Sequence, residues 1–266
     1  MTTIYSRFFP RTVSACSLVA AAAALLPSVA LSHGNESDPS TSNASQWALG
    51  LVVMPEKKPY RDYDNKTEVL PFFTYENRWV RVAGPGLELK LGQDGPVRWG
   101  LTASYAGDGY KSEDSPYLSG MADRKSSFWL GARMGLRTDL ATFSAEWSAD
   151  ASSKSQGQKI KLGVERRFTV GSLGITPRLT ATWLDSKYVQ YYYGVESNEA
   201  RAGRTAYNAG SAVNTELGLR MDYQLARQHM VFADLGVTSL GSSIKNSPLV
   251  SRNNIPEVRL GYMYRF

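Results

Sequence analysis

Regular alternation of apolar and polar residues is the feature that most constrains how this 266-residue chain can fold. In residues 128–137, Phe, Leu, Ala, Met and Leu alternate with Trp, Gly, Arg, Gly and Arg. The same period of two recurs in residues 158–169, 212–226 and 254–266. Alternation sustained over about ten residues indicates β-strands whose two faces meet different surroundings. The sequence therefore predicts an all-β protein.

The surroundings of the apolar face distinguish a soluble sheet from a membrane barrel. In a soluble sheet the apolar face fills a core, whereas in a transmembrane barrel it meets lipid and the charged face lines the lumen. The alternating segments are about 10–13 residues long, close to the ~9–11 residues that a tilted strand needs to cross a bilayer. The chain also ends in an aromatic strand that contains Tyr264 and Phe266, a terminus typical of bacterial outer-membrane barrels.

Aromatic residues near the segment ends support the membrane interpretation, because transmembrane barrels carry aromatic girdles at both interfaces. These residues are Trp47, Tyr75, Trp79, Trp99, Tyr105, Trp147, Trp183, Tyr223 and Tyr262. We therefore predict a transmembrane antiparallel up-and-down β-barrel, with apolar side chains turned to lipid and charged side chains turned to the lumen.

The number of alternating segments predicts twelve strands. They are 46–55, 67–76, 78–84, 86–91, 97–106, 125–137, 140–150, 158–169, 173–185, 212–226, 228–240 and 254–266. Short joints alternate with long polar stretches, as periplasmic turns alternate with extracellular loops. We interpret Gly84-Pro85-Gly86 as a tight outer hairpin, because an even count with both termini in the periplasm requires it. If that hairpin lies outside the wall, ten strands remain.

The first 32 residues have the pattern of a secretory signal peptide. Arg7 and Arg11 precede a short apolar run, and small residues precede the two candidate cleavage points, after Ala30 or after Ser32. Residues 33–45 are rich in Ser, Asn and Asp and predict a flexible periplasmic lead-in. Residues 46–266 then form the barrel, which we expect in the outer membrane of a Gram-negative cell.

Composition leaves little material for catalysis. The chain has two histidines, one cysteine and a net charge of +6 without a long basic block. His33 falls in the lead-in, and His229 falls at a short joint that we place on the periplasmic side. Barrel enzymes need a base beside a nucleophile or water. We therefore predict that the chain is not an enzyme, has no catalytic, cofactor or metal residues, and binds no nucleic acid.

The predicted lumen face carries charges of both signs. They are Arg98, Arg133, Arg137, Lys159, Lys161, Arg167, Arg178, Arg220, Arg259 and Arg265, with Glu146, Asp150, Glu165, Glu216, Asp222 and Glu257. One interpretation is a lattice in which opposite charges pair and fill the lumen. The other is a narrow conduit that weakly prefers anions, because the cations outnumber the anions in this set. A barrel of twelve strands or fewer has a small lumen, so we favour the lattice.

The stretch 187–210 contains the densest aromatic cluster, with Tyr188, Tyr191, Tyr192 and Tyr193. Exposed tyrosines form a platform for a sugar or a protein partner, because they offer large contact area at low entropy cost. Alternatively, the loop folds back and caps the mouth of the barrel, with glycines shaping its turns. We favour capping.

Several segments resemble the MipA/OmpV family of outer-membrane proteins (MltA-interacting protein-like). The similar segments are 47–53, 69–73, 191–195, 207–210, 247–250 and 261–266. The more specific motif is Tyr192, Tyr193, Gly194 and Val195, followed by Tyr207 and Gly210. The resemblance implies a scaffold that holds a murein lytic transglycosylase and a bifunctional penicillin-binding protein together. A narrow channel or permeability factor and a surface adhesin are the alternatives.

Overall fold

A computed structural model describes residues 45–266, and the predicted signal peptide (1–32) and nearly all of the lead-in (33–45) lie outside the described residues. Thirteen strand segments make up most of this part of the chain. They are β1 Gln46–Glu56, β2 Lys66–Glu76, β3 Val80–Ala83, β4 Gly86–Asp94, β5 Val97–Ala106, β6 Ser127–Arg137, β7 Thr142–Asp150, β8 Gln158–Glu165, β9 Phe168–Val170, β10 Leu173–Leu184, β11 Ala212–Ala226, β12 His229–Ser239 and β13 Asn254–Arg265.

The strands close into one antiparallel barrel within the described residues. Each strand pairs with its neighbours in the chain, and β1 closes the sheet against β13, with Ala48 opposite Arg265 and Val53 opposite Leu260. β8 and β9 both pair with β10, so they form one wall strand that is interrupted at residues 166–167. The wall therefore has twelve strands, which confirms the predicted up-and-down barrel. The ten-strand alternative is wrong, because β3 and β4 are hydrogen-bonded on both sides.

The two faces of the wall have the inverted polarity of a membrane barrel. The aliphatic side chains of Leu130, Leu162 and Leu217 point outward and are 54–61% exposed. Their chain neighbours Arg133, Lys161 and Glu216 point inward. Buried charge and exposed hydrocarbon are the reverse of a soluble fold, and in hydrocarbon they are the stable arrangement. The predicted orientation is confirmed.

Turns and loops separate to opposite ends of the barrel. The short turns and both ends of the described chain lie at one end, which is periplasmic in bacterial barrels. The longer connections, 57–65, 107–126, 151–157, 185–211 and 240–253, lie at the other end. Two of them contain helices, α1 Ser186–Tyr193 and α2 Ser242–Lys245. No helix in residues 45–266 is long and apolar enough to cross a membrane.

The β3–β4 hairpin is shorter than its neighbours. β3 pairs with β2 at only three positions, the last of which joins Thr74 to Ala83. The hairpin turns at Gly84, whose positive φ of 53° suits glycine, and the Gly84 N–H donates to the Phe73 carbonyl at 3.0 Å. Residues 66–72 of β2 continue beyond this point and pair with β1 alone. The predicted outer hairpin exists, and its tip lies part-way up the wall rather than at the rim.

Candidate functional site

Strand register brings charges of opposite sign together on the lumen face. Arg133 of β6 stands directly opposite Glu146 of β7, which in turn stands opposite Lys161 of β8. Directly opposed positions on one face of a sheet are close enough for their side chains to interact. The Thr102 hydroxyl also donates to the Glu146 carboxylate at 3.3 Å. This row therefore alternates cation, anion and cation across three neighbouring strands.

A buried cluster of three charges lies next to this row. The Arg178 guanidinium donates through Nε and Nη2 to Glu216 Oε1, at 3.0 and 2.8 Å, and through Nη1 and Nη2 to Asp234, at 3.1 and 2.8 Å. All three side chains are at most 8% exposed. Charges buried this deeply are tolerated when they pair and their hydrogen bonds are satisfied. We call Arg178, Glu216 and Asp234 the lumen triad.

Glycines on the lumen face make room for the arginines. A Cβ built on Gly218, which stands opposite Arg178, would collide with the guanidinium of Arg178. A Cβ on Gly174 would likewise collide with the guanidinium of Arg167. The guanidinium lies close to the strand backbone at both places. The alternation of arginine and glycine in the sequence thus has a packing cause.

The lower part of the lumen holds further pairs. Arg167 makes two hydrogen bonds to the Asp222 carboxylate, at 2.7 and 2.6 Å. Arg220 stands opposite Asp234, and its guanidinium lies 4.6 Å from the centre of the Phe232 ring. Bidentate pairing gives Arg167 and Asp222 a fixed geometry as well as favourable energy.

The remaining residues of the predicted lattice occupy the edges of this network. Arg259 donates to Glu257 at 2.6 Å, two residues away on the same strand. Glu165 stands opposite Arg178 across the β8–β10 pair. Arg98 and Arg137 lie near the periplasmic ends of β5 and β6, where their register partners include Gln93 and Thr142 rather than lattice carboxylates.

Sequence reasoning missed several lumen charges. Asp234 completes the lumen triad, and the signal for it was the alternation of Met230, Phe232 and Asp234 along β12. The short hairpin adds Arg81 opposite Glu88. On the neighbouring strands, Lys90 donates to Glu76 at 2.6 Å. These residues also take inward positions in the strand alternation, but their strand segments are too short for the alternation to be recognised in the sequence.

Two cavities lie in the lumen, above and below the lumen triad. The upper cavity has a volume of about 420 Å³, and Glu216 lines it. The cavity at the periplasmic mouth has a volume of about 680 Å³, and Asp222 lines it. Along β11, Gly218 lies between Glu216 and Asp222, and Arg178 stands opposite Gly218. The lumen triad therefore lies on the wall between the two cavities.

Aromatic residues from three loops, together with Val250 of a fourth, cap the extracellular mouth. Tyr60 bridges to Val250, and its hydroxyl donates to the Tyr192 carbonyl at 3.2 Å. The Tyr192 side chain is fully buried and donates to the Lys125 carbonyl at 3.0 Å. Because these contacts join residues far apart in the sequence, they tie the loops into one unit over the lumen. The tyrosines of the 187–210 stretch pack into this cap.

The family-like motif forms the centre of the cap. Gly194 ends α1, where its N–H donates to the Gln190 carbonyl at 2.9 Å. Val195 and Tyr207 exchange two backbone hydrogen bonds of 3.0 and 2.9 Å. The Tyr207 hydroxyl donates to Ser243 at 2.9 Å, and Gly210 lies beside the same serine. The motif thus closes the loop on itself and joins it to α2. Tyr193 packs against the buried residues on both sides of the motif.

One lysine connects the cap with the lumen. The Lys159 ammonium lies 3.8 Å from the centre of the Trp129 ring and 4.5 Å from that of Tyr188. It also pairs with Asp108 at 2.9 Å. A cation over aromatic faces is attracted by the ring quadrupole, more strongly where water is excluded. Lys159 therefore fixes α1 above the barrel wall.

A buried ion pair holds the 107–126 and 185–211 loops together. Glu199 accepts two hydrogen bonds from Arg124 Nη2, at 3.0 and 2.9 Å, and one from the Ala122 N–H at 2.9 Å. Burial alone would raise the pKa of the Glu199 carboxyl. The backbone donors Ala122 and Glu196 and the Arg124 guanidinium outweigh burial and hold this pKa below its usual value. Glu199 is therefore ionised at neutral pH.

The described residues offer little for catalysis or metal binding. No group of three or more His, Cys, Asp or Glu side chains in residues 45–266 is arranged to hold a metal ion. His229 lies at the periplasmic end of β12, where its Nδ1 is 2.6 Å from the Tyr262 hydroxyl. The terminal strand is held by Phe266, whose ring stacks on Trp47 at 3.9 Å and packs edge-on against Tyr264.

A sequence profile described as MltA-interacting protein MipA matches residues 48–266, which is nearly all of the barrel. The chain belongs to this family. The predicted resemblance is confirmed.

Relatives of the family agree in location. The chain is 27% identical over 229 residues to the putative outer membrane protein YiaT of Escherichia coli K12, covering 85% of this chain and 93% of that protein. It is also 27% identical over 226 residues to the MltA-interacting protein of the same strain, covering 83% and 90%. The outer membrane protein OmpV of Vibrio cholerae is 26% identical over 215 residues, covering 80% and 84%. Together with the barrel geometry, the names of these relatives identify this chain as an outer-membrane protein.

The lumen triad gives a first prediction. Replacing Arg178 by Met leaves two buried carboxylates without their cation, so we expect the free energy of unfolding to fall by about 3–5 kcal/mol. Urea unfolding of the barrel in phosphatidylcholine vesicles measures this. The exposed Arg227→Met change in a periplasmic turn is the matched control, with an expected effect within about 0.5 kcal/mol. The neutral triple variant Arg178→Met, Glu216→Gln, Asp234→Asn should recover most of the loss. Equal effects of Arg178→Met and Arg227→Met would contradict the role of the triad.

The cap gives a second prediction. Because the pKa of Glu199 is lower in the folded cap than in an open one, its stabilising effect is complete above the ordinary pKa of about 4.3 and is lost as the pH falls below it. We expect the near-ultraviolet circular dichroism of the packed tyrosines to weaken as the pH falls below about 4.3. Glu199→Gln should weaken that signal at pH 7 and flatten its pH dependence. The control Glu113→Gln, at a well-exposed carboxylate of the same loop system, should titrate like the unmodified protein.

Proposed function

We propose that the chain is a structural scaffold of the cell envelope, which tethers murein-processing enzymes at its periplasmic face. The observation that supports this most is the paired charge of the lumen: Arg178, Glu216 and Asp234 lie between two cavities, and packed loops cover the outer mouth. A lumen lined by paired charges under a packed cap suits anchoring better than conduction. The name of the Escherichia coli relative, MltA-interacting protein, states an interaction of that protein. The family resemblance extends it here to a lytic transglycosylase and a bifunctional penicillin-binding protein.

The periplasmic end has the surface that such a partner requires. Leu140, in the turn between β6 and β7, is 66% exposed, although it lies outside the strands that meet lipid. Arg78 and Arg227 are exposed in two other turns, and Arg78 packs on the exposed Trp79 ring. Interfaces are enriched in aromatic and arginine residues around an apolar centre. These turns therefore form the proposed docking face.

A binding measurement tests the scaffold. The barrel is held in nanodiscs, and the soluble domain of a murein lytic transglycosylase is titrated by biolayer interferometry. Leu140→Asp with Arg227→Glu should weaken binding at least about tenfold, or ~1.4 kcal/mol, because both changes fall on the docking face. Lys187→Glu, an exposed change on the extracellular cap, is the matched control and should leave affinity unchanged. No binding by the unmodified barrel, or equal loss in the control, would contradict the proposal.

A narrow conduit is the second candidate, favoured by the arginines that line the periplasmic cavity, Arg167, Arg227 and Arg265. Conduction needs a continuous path, and the lumen triad and the cap both occupy part of it. Steady anion-selective openings of the unmodified barrel in planar bilayers would replace the scaffold with this candidate.

A further inference from the structure

The barrel wall is incomplete on one side. Residues 66–72 of β2 pair with β1, and no strand within residues 45–266 lies on their other side, because the β3–β4 hairpin turns back at Gly84 and Pro85. The gap is closed above, where Lys66 pairs with Asp114 at 3.2 Å and Lys58 donates to the Gly109 carbonyl. The lower border is the hairpin tip. We call this opening between β2 and the 107–114 segment the wall window.

The hairpin tip lies near the middle of the membrane. Trp79 is 56% exposed at the periplasmic end of β3, where interfacial aromatic girdles lie. Gly84 follows five residues later, which at ~3.3 Å per residue and a tilt of about 40° places it about 13 Å higher. The apolar band of such barrels is about 25 Å tall. The wall window therefore faces the outer half of the bilayer.

The window connects with the upper cavity. That cavity is lined by residues of the hairpin tip, Ala83, Pro85 and Gly86, together with Trp129 and Lys159 deep under the cap. Its volume of about 420 Å³ is at the small end of the range for ligand pockets. Because the cap covers the extracellular mouth, the side of the barrel is the shortest way in from the outer leaflet.

Two inward residues beside the window are apolar. The alternation of β2 fails here, since residues 69–73 read Val, Leu, Pro, Phe and Phe. Leu70 and Phe72 take inward positions opposite Val52 and Gly50 of β1, and the carboxylate of Glu68 takes the next inward position above them. Phe72 packs on a buried cluster of Val52, Met230, Phe232 and Met263. Leu70 and Phe72 thus form an apolar patch below Glu68, in a lumen whose other walls are charged.

The backbone at the window edge adds a polar element. Phe73 directs its carbonyl to the hairpin, so by strand alternation residues 71, 69 and 67 direct their backbone groups into the window. Proline at 71 removes one N–H that would otherwise lack a partner there. The carbonyls of this edge still need polar partners, because unsatisfied groups at membrane depth are costly. The apolar patch suits an acyl chain, and the charged upper cavity suits a polar head.

We propose that the wall window admits a single-chain amphiphile from the outer leaflet, whose acyl chain lies on Leu70 and Phe72 and whose polar head reaches the upper cavity. The small cavity volume favours one chain over the two chains of a bilayer phospholipid. This route does not depend on the scaffold proposal, since it uses the outer half of the wall and no periplasmic residue.

Photolabelling tests this in the full barrel reconstituted in phosphatidylcholine vesicles. One arm contains palmitic acid with a diazirine on its chain, and the other contains phosphatidylcholine with the same group. Labelled residues are mapped by mass spectrometry. We expect the inward-facing Leu70 and Phe72 to be labelled several-fold more by the fatty acid than by the phospholipid. The outward-facing Phe73 should be labelled in both arms and serves as the internal reference.

A blocking variant makes the test specific to the window. Ala83→Trp places a large side chain at the hairpin tip and should lower labelling of Phe72 several-fold while leaving Phe73 unchanged. Gly135→Trp is the matched control, because it adds the same inward bulk on β6, near the periplasmic end. Heat-dependent mobility in gels verifies that both variants fold. Labelling confined to outward residues, stronger inward labelling by phosphatidylcholine, or an equal fall in both variants would overturn the proposal.

Discussion

The structure depends on one constraint: unpaired backbone N–H and C=O groups are costly in hydrocarbon. A sheet satisfies this requirement only by closing, and here β1 closes against β13. Once the sheet is closed, the period of two in the sequence divides its side chains between two solvents. The leucines meet lipid, and the arginines and carboxylates meet each other in a narrow space.

Enclosure explains why the lumen charges are arranged as they are. A guanidinium without access to bulk water is stable when it pairs with carboxylates, and Arg178 pairs with two of them. It also needs space beside the strand backbone, which Gly218 leaves free. The same rule operates in the cap, where Arg124 and Glu199 are buried together. Charges are therefore paired along the lumen wall, and this pairing is the physical basis of the proposed scaffold function.

Local patterns predicted the wall well because the alternation of each strand is visible in its own residues. The observed strands begin and end within about two residues of most of the predicted segments, and β4 extends three residues beyond its predicted end. Asp234 was not predicted as a lumen residue, because it is the single charge among the inward residues of β12. The height of the hairpin was not predicted, because residues 69–73 are apolar on both faces. Their sequence therefore cannot indicate that a neighbouring strand is missing. The contacts of the cap, such as Tyr60 with Val250, join residues too distant in the chain for any pattern to pair.

The central claim is that apolar side chains face lipid and charged side chains face the lumen. Spin labels on single cysteines along β11, at positions 215 to 219, test it most directly, because accessibility to oxygen and to a water-soluble nickel complex reports each side separately. The account predicts high oxygen accessibility at 215, 217 and 219 and low accessibility at 216 and 218. The reverse pattern, or none with a period of two, would contradict it.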